Sequence, residues 1–333
     1  MKIALCTTTI HVPHALKLMR KCSDDIGIFV ALDQKTPNLM ELAKETRAQL
    51  LFGDRGEWKC SQTIGWNTLA RRNIAFLEAL KWGADVIYSW DNDNLPVDVD
   101  HFGKIEDIFV EPFSGLKGSH VRHSFFDAGA LIYPWSRHRG IPFANAKLGH
   151  RYDIATDAKV GVAAGLILGD PDIDAVTRME LRPDNQIISE AGRAGIVVDP
   201  NTWTVFNSQN TAVIRELIPA WFMMPGVGRH DDIYASLIVQ RVARERDYHV
   251  HFGKPFTYQQ RNEHNLITDL RKEIDGMENV EKLALLLDSI ILPGKSVIGD
   301  VKTIYMTLEH ADWIPDNAIY AAYKWLEDCE AVL

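Results

Sequence analysis

The chain has 333 residues, 46% of them hydrophobic and 24% charged, with a formal net charge of −9. That balance is globular and excludes a disordered, collagen-like or coiled-coil chain, while dispersed Lys and Arg within an acidic total speak against a broad nucleic-acid-binding face. The longest small and apolar run, residues 160–168, falls well short of the roughly 20 residues that cross a bilayer, so no membrane partner is expected.

Residues 2–8 form an apolar, β-prone run, too short and polar for a signal-peptide core. Residues 15–19 read as helix and 26–32 as a second strand, an order that predicts a mostly parallel central sheet flanked by helices. Ligands of such sheets sit beyond the carboxyl ends of the strands, which directs attention to Thr7-Thr8-Thr9 and to Asp33-Gln34-Lys35-Thr36-Pro37. A third short strand is expected at 49–52. A loop with Trp58, Cys60 and Trp66 then leads to a helix over 67–82, with Asn67 as its cap, Gly83 as its stop, and Arg71 and Arg72 inside it. A fourth strand, 85–90, runs directly into Asp91-Asn92-Asp93-Asn94.

From 111 to 200, short apolar runs alternate with Gly, Pro and Asp, which predicts irregular strands and loops. Residues 231–246 carry Ile233, Leu237, Ile238 and Val242 on one side, the pattern of an amphipathic helix opened by Asp231 and Asp232. Two or three further helical patterns, including 283–287 and 318–326, form a C-terminal tail. The expected organisation is one α/β unit at 1–275, in two halves at 1–100 and 101–275, and a helical extension at 276–333. Cys6, Cys22, Cys60 and Cys329 form no CxxC pair, which predicts free thiols and a cytoplasmic location.

Two carboxylates one residue apart, just past a strand, can bend towards one hard cation and leave open positions for phosphate oxygens. Asp91 and Asp93 fit that description, against the alternative of a solvated turn. Asp170, Asp172 and Asp174 alternate within a Gly-Pro turn and read either as loop structure or as sugar contacts. Asp231 and Asp232 read either as helix-capping carboxylates or as a base that orients an acceptor hydroxyl. The pairs His11 and His14, His120 and His123, and His249 and His251 lack a third ligand at motif spacing and read as packing or surface histidines. No phosphate-cradling Gly-Lys-Ser/Thr loop, Gly-x-Gly-x-x-Gly turn or nucleophile elbow is present.

With these residues in place, the chain resembles the reversibly glycosylated polypeptide and UDP-arabinopyranose mutase family, and related STELLO-type glycosyltransferase-like proteins. The resemblance rests on Asp33-Gln34-Lys35-Thr36-Pro37, Arg71-Arg72-Asn73-Ile74-Ala75, Gly83-Ala84-Asp85-Val86-Ile87-Tyr88 and the acidic motif. It continues through Arg139-Gly140-Ile141-Pro142-Phe143, Gly165-Leu166-Ile167-Leu168, Asp172-Ile173-Asp174-Ala175 and Arg261-Asn262-x-His264. It implies a GT-A-like nucleotide-diphospho-sugar transferase fold and a UDP-sugar donor. It further implies Mn or Mg at Asp91 and Asp93, with His264 beside them.

By the same resemblance, uridine is contacted near Asp33, the phosphates are met by Lys35, Arg72 or Arg261, and Arg139 is the arginine that becomes glycosylated in the mutase branch. Thr8 and Asn92 are further candidates for nucleotide contacts, Asp172 and Asp174 for sugar contacts, and Asp231 or Asp232 for a place near the acceptor. Asn92 departs from the family, whose members commonly carry three consecutive aspartates. The leading expectation is a metal-dependent glycosyltransferase. The alternatives are a UDP-arabinopyranose mutase and a catalytically silent sugar-nucleotide-binding subunit. The acceptor stays open among a glycan, a protein, a small molecule and a modified nucleobase.

Overall fold

The computed structural model describes residues 1–52, 57–120, 125–132, 136–143, 149–181, 188–259 and 265–333. Its first half follows the expected alternation. Strands β1 (Ile3–Thr9), β2 (Gly27–Leu32), β3 (Gln49–Leu51) and β4 (Val86–Trp90) pair in parallel in the order β3-β2-β1-β4. Helices α1 (Leu16–Cys22), α2 (Met40–Thr46) and α3 (Arg72–Trp82) connect them. Every residue of β1 and of β4 is buried, as expected for strands covered on both faces. The carboxyl ends of β1, β2 and β4 therefore open together at one edge of the layer.

Beyond β4 the sheet becomes mixed, as part of one ten-stranded sheet. Strand β5 (Asn94–Pro96) is followed by helix α4 (His101–Val110), then by β6 (Phe113–His120) and β7 (His150–Gly169). The short helices α5 (Ala175–Glu180) and α6 (Glu190–Ala194) lead to β8 (Ile196–Val198) and β9 (Asn210–Ile214). Strand β9 lies antiparallel between β4 and β7. After helix α7 (Asp231–Arg244), strand β10 (Tyr248–Gln259) pairs with β7, β8 and β5.

The α/β class holds, and four local expectations change. The helix expected from 67 begins later: Asn67 lies at φ 57° outside it, and the Thr68 side chain accepts from Ala70 N–H to open a 3-10 turn ahead of α3. The central region, expected as irregular pieces, contains the 20-residue β7, which continues through Asp157 at φ 55°. Helix α7 is not amphipathic in place, since every residue from Asp231 to Ala243 is buried. Finally, α8 (Leu266–Ser289) runs across the boundary expected between 275 and 276, and is followed by α9 (Val297–Leu308) and α10 (Asp316–Val332).

These last helices share the core of the sheet: Leu283, Ile304 and Trp325 belong to one apolar cluster with Ile87, Leu237 and Trp221. The Asp328 carboxylate also accepts from Lys59 N–H at 3.0 Å and Cys60 N–H at 2.8 Å, which ties α10 to the N-terminal half. The four cysteines are free thiols. Among the described residues, no helix is long and apolar enough to cross a membrane.

Candidate active site

Strand β4 ends at Trp90, and a tight turn follows. Asp91 N–H donates to the Gln209 carbonyl at 3.1 Å and Asn94 N–H to the Asp91 carbonyl at 3.0 Å, closing the turn against the start of β9. The central Asn92 donates from Nδ2 to Thr9 Oγ at 2.6 Å, and that hydroxyl donates onward to the His11 carbonyl at 2.7 Å. The threonine proton is therefore committed, and the partner at position 92 has to be a donor. An aspartate there would face an acceptor, which gives a physical reason for Asn92 in this chain.

Asp91 and Asp93 line one cleft of about 190 Å³ together with Arg139, Asp172, Arg229, Asp231 and Asp232. Arg72, 1% exposed, reaches Asp91 from behind through Nη2, and its Nη1 donates to Ser89 Oγ at 3.1 Å and to Ser208 O and Oγ at 2.8 and 2.7 Å. It braces the motif from within the core. Burial raises the Asp91 carboxyl; Arg72 opposes the rise and Asp93 adds to it. Asp93 accepts from Gln259 Nε2 at 3.1 Å through Oδ2, while among the described residues its buried Oδ1 has no partner. An unpartnered buried carboxylate oxygen is costly. Five aspartates against two arginines line this cleft, so a hard cation is the complement its charge calls for.

The other wall is built around Arg139, 5% exposed. Its Nε and Nη2 donate to Asp172 at 2.8–3.2 Å, and its Nη1 and Nη2 to Asp232 at 3.1 Å each. Nη1 also donates to the Arg229 carbonyl. Burial works against the cation, but Asp172 and Asp232 outweigh it and hold the guanidinium well above its ordinary range. Asp232 further accepts from Ser208 N–H at 3.1 Å. Asp231 accepts from Asp232 N–H at 2.9 Å, and burial, reinforced by the Asp232 charge, pushes its carboxyl up to about 7.

The remaining expected residues lie apart from these walls. Asp174 caps α5, accepting from Val176 and Thr177 N–H at 3.0 Å, and pairs with Arg137 at 2.9 Å. Thr8 Oγ donates to the Ala31 carbonyl at 2.9 Å. Asp33 Oδ1 accepts from Gln34 and Asn67 N–H at 2.6 and 2.8 Å, organising the loop after β2, where Lys35 is exposed. Arg261 and His264, like His123, lie outside the described residues. Among the described residues, no group of three or more His, Cys, Asp or Glu forms a metal site.

Sequence reasoning missed Arg229, Gln259, Ser208 and Gln209 in this cleft. Arg229 immediately precedes the His230-Asp231-Asp232 run, and a cation beside paired carboxylates is a signal that was legible. Gln259 reaches Asp93 only because β10 pairs with β5 so that Gln259 lies opposite Asn94.

The fold and cleft define an α/β protein with an acidic site at the carboxyl edge of a parallel sheet. Residues 57–322 match the reversibly glycosylated polypeptide family, and the chain belongs to it. Membership makes it a nucleotide-sugar protein of the glycosyltransferase or mutase kind. No curated protein matches the sequence. Among solved structures, the chain is similar to the mannosyltransferase PcManGT from Pyrobaculum calidifontis in complex with GDP-Man and Mn2+. That similarity has 10% identity and a TM-score of 0.41, covering 99% of this chain and 73% of that one.

Proposed function

We propose that this protein is a glycosyltransferase that takes the sugar of a UDP-sugar donor, with Asp91 and Asp93 holding a divalent cation. One observation carries the reading: the unpartnered Asp93 Oδ1 belongs to the same cleft as Asp91 and the paired Asp231 and Asp232. Bound Mn2+ or Mg2+ supplies positive charge where the diphosphate leaving group becomes more negative. The family match supports the sugar-nucleotide donor. The free cysteines support a cytoplasmic setting.

In the transfer, an acceptor hydroxyl oxygen attacks the anomeric carbon and the bond from that carbon to the diphosphate oxygen breaks. The bonding pair leaves with UDP, and the hydroxyl proton passes to Asp231, whose elevated pKa of about 7 suits a base operating near neutrality. Asp232 and Asp172 are positioned by Arg139. All three guanidinium nitrogens of Arg139 donate hydrogen bonds, so we assign it this positioning role in place of the glycosylated-arginine role that the mutase branch implies.

Incubation with a panel of UDP-sugars and Mn2+, with UDP release and product mass as readouts, tests the proposal. Release of UDP with transfer to water or acceptor is the predicted result. NMR of UDP-arabinose showing ring interconversion and no UDP release would establish the mutase alternative instead, and binding with neither reaction would leave a silent subunit.

A further inference from the structure

Asp93 and Gln259 both line the acidic cleft. Each keeps one buried oxygen, Oδ1 and Oε1, that has no partner among the described residues. Gln209, on the same cleft, has a third such oxygen, its Oε1. All three are acceptors, and a buried acceptor that meets no donor is costly.

Of the two glutamines, Gln259 has its side chain tied to the acidic motif. It is 3% exposed and ends β10, where its backbone is fixed from both sides. It lies opposite Asn94 of β5 and Gly169 of β7, and its carbonyl accepts from Asp170 N–H at 3.2 Å. Its Nε2 donates to Asp93 Oδ2 at 3.1 Å. Chemistry fixes that orientation of the amide, because its oxygen has no proton to donate to a carboxylate. Amide oxygen and nitrogen share one carbon, so the same bond holds Oε1 beside the Asp93 carboxylate. Two oxygens held side by side repel each other until positive charge meets them.

Neither Asp93 Oδ1 nor Gln259 Oε1 is open to water. A sugar hydroxyl is the size of a water molecule and is shut out on the same ground. A bare divalent cation is smaller, and its contacts to oxygen, about 2.0–2.6 Å, are shorter than an ordinary hydroxyl hydrogen bond. Among the described residues, no group of three or more His, Cys, Asp or Glu forms around Asp91 and Asp93, so a protein ligand added to these two is of another kind. A side-chain amide oxygen is such a ligand for a hard cation.

We propose that Gln259 ligates the divalent cation through Oε1, alongside Asp93. The assignment rests on the cation reading of the cleft and deepens it. Carboxylate and amide oxygens together favour Mg2+ or Mn2+ over Zn2+. Gln259 thereby has two tasks in one side chain: Nε2 orients Asp93, and Oε1 meets the ion.

The test is Mn2+ binding in the presence of UDP, followed by the free-ion electron paramagnetic resonance signal, a readout that needs no turnover. Gln259→Leu removes both the oxygen and the donor, and its Kd for Mn2+ is expected to rise on the order of tenfold or more. Gln259→Glu supplies an oxygen at the same reach but no donor. At about pH 8 it is expected to bind Mn2+ as tightly as the parent chain or more so, and to lose the ion more steeply as pH falls, because the new carboxylate has to shed its proton to ligate.

A Gln259 that serves only to orient Asp93 predicts the opposite for Gln259→Glu, which lacks the donor and sets a second negative charge beside Asp93. Binding by Gln259→Glu as weak as by Gln259→Leu overturns the assignment, and so does unchanged affinity in Gln259→Leu. A crystal structure of the parent chain with Mn2+ and UDP requires no variant to fold. An ion within about 2.0–2.6 Å of Gln259 Oε1 upholds the assignment, and an ion on Asp91 or Asp93 that leaves Oε1 to water or a sugar hydroxyl overturns it. Absence of Mn2+ uptake by the parent chain overturns the cation reading itself and is recognised before any variant is made.

Discussion

Replacing Arg139 with alanine leaves Asp172 and Asp232 without their shared cation. Both carboxylates are 3% exposed, and the bonds they lose measure 2.8–3.2 Å. Removing one partner of a buried ion pair costs about 3–5 kcal/mol. Asp232 keeps its bonds from Ser208 N–H and Oγ at 3.1 and 3.3 Å, and Asp172 loses its bonds from Nε and Nη2. A loss within that range of about 3–5 kcal/mol is therefore expected for the whole substitution, measured by reversible urea denaturation. A deficit below about 1 kcal/mol would refute the clamp.

Asp231→Asn should lower kcat/KM by about 10²–10⁴-fold and remove its rise through neutral pH, as measured in a pH–rate profile. Because burial raises Asp231 to about 7, its penalty on the fold appears as pH climbs through that value, so the same variant should melt higher than the parent in alkaline buffer. Gly276→Ala places a Cβ 2.0 Å from the fully buried His230 ring. It should lower stability by about 1–3 kcal/mol, although alanine ordinarily improves a helix interior. Asn92→Asp should weaken the hold of the motif on Thr9 and lower the melting temperature, with the larger loss at neutral rather than acid pH. Asp174→Ala should cost about 1–2 kcal/mol or more through its cap and ion pair, yet lower turnover far less than Asp231→Asn.

The parallel half was legible because each of its strands is a continuous apolar run ending in polar residues, a local pattern. Helix α7 was legible in extent, but its periodicity does not reveal that its polar side chains, Asp231, Asp232 and Gln240, would also be buried. Strand β7 was hidden because a charged, alternating segment and an apolar one join through Asp157 in a left-handed conformation. In the site, the carboxylates declared themselves by their spacing, and five of the expected aspartates do line one cleft. Their partners did not: Arg72 reaches Asp91 from within the core, because depth within the core is a tertiary property. Asp172 and Asp174, two residues apart, point to different tasks for the same reason.

The central claim is that Asp91 and Asp93 bind a cation. Titrating the protein with Mn2+ in the presence of UDP, followed by the loss of the free-ion electron paramagnetic resonance signal, measures it directly. Uptake by the parent chain is expected, reversed by a chelator and strongly weakened in Asp93→Asn. Uptake that is unchanged in Asp93→Asn, or none by the parent chain, would contradict it.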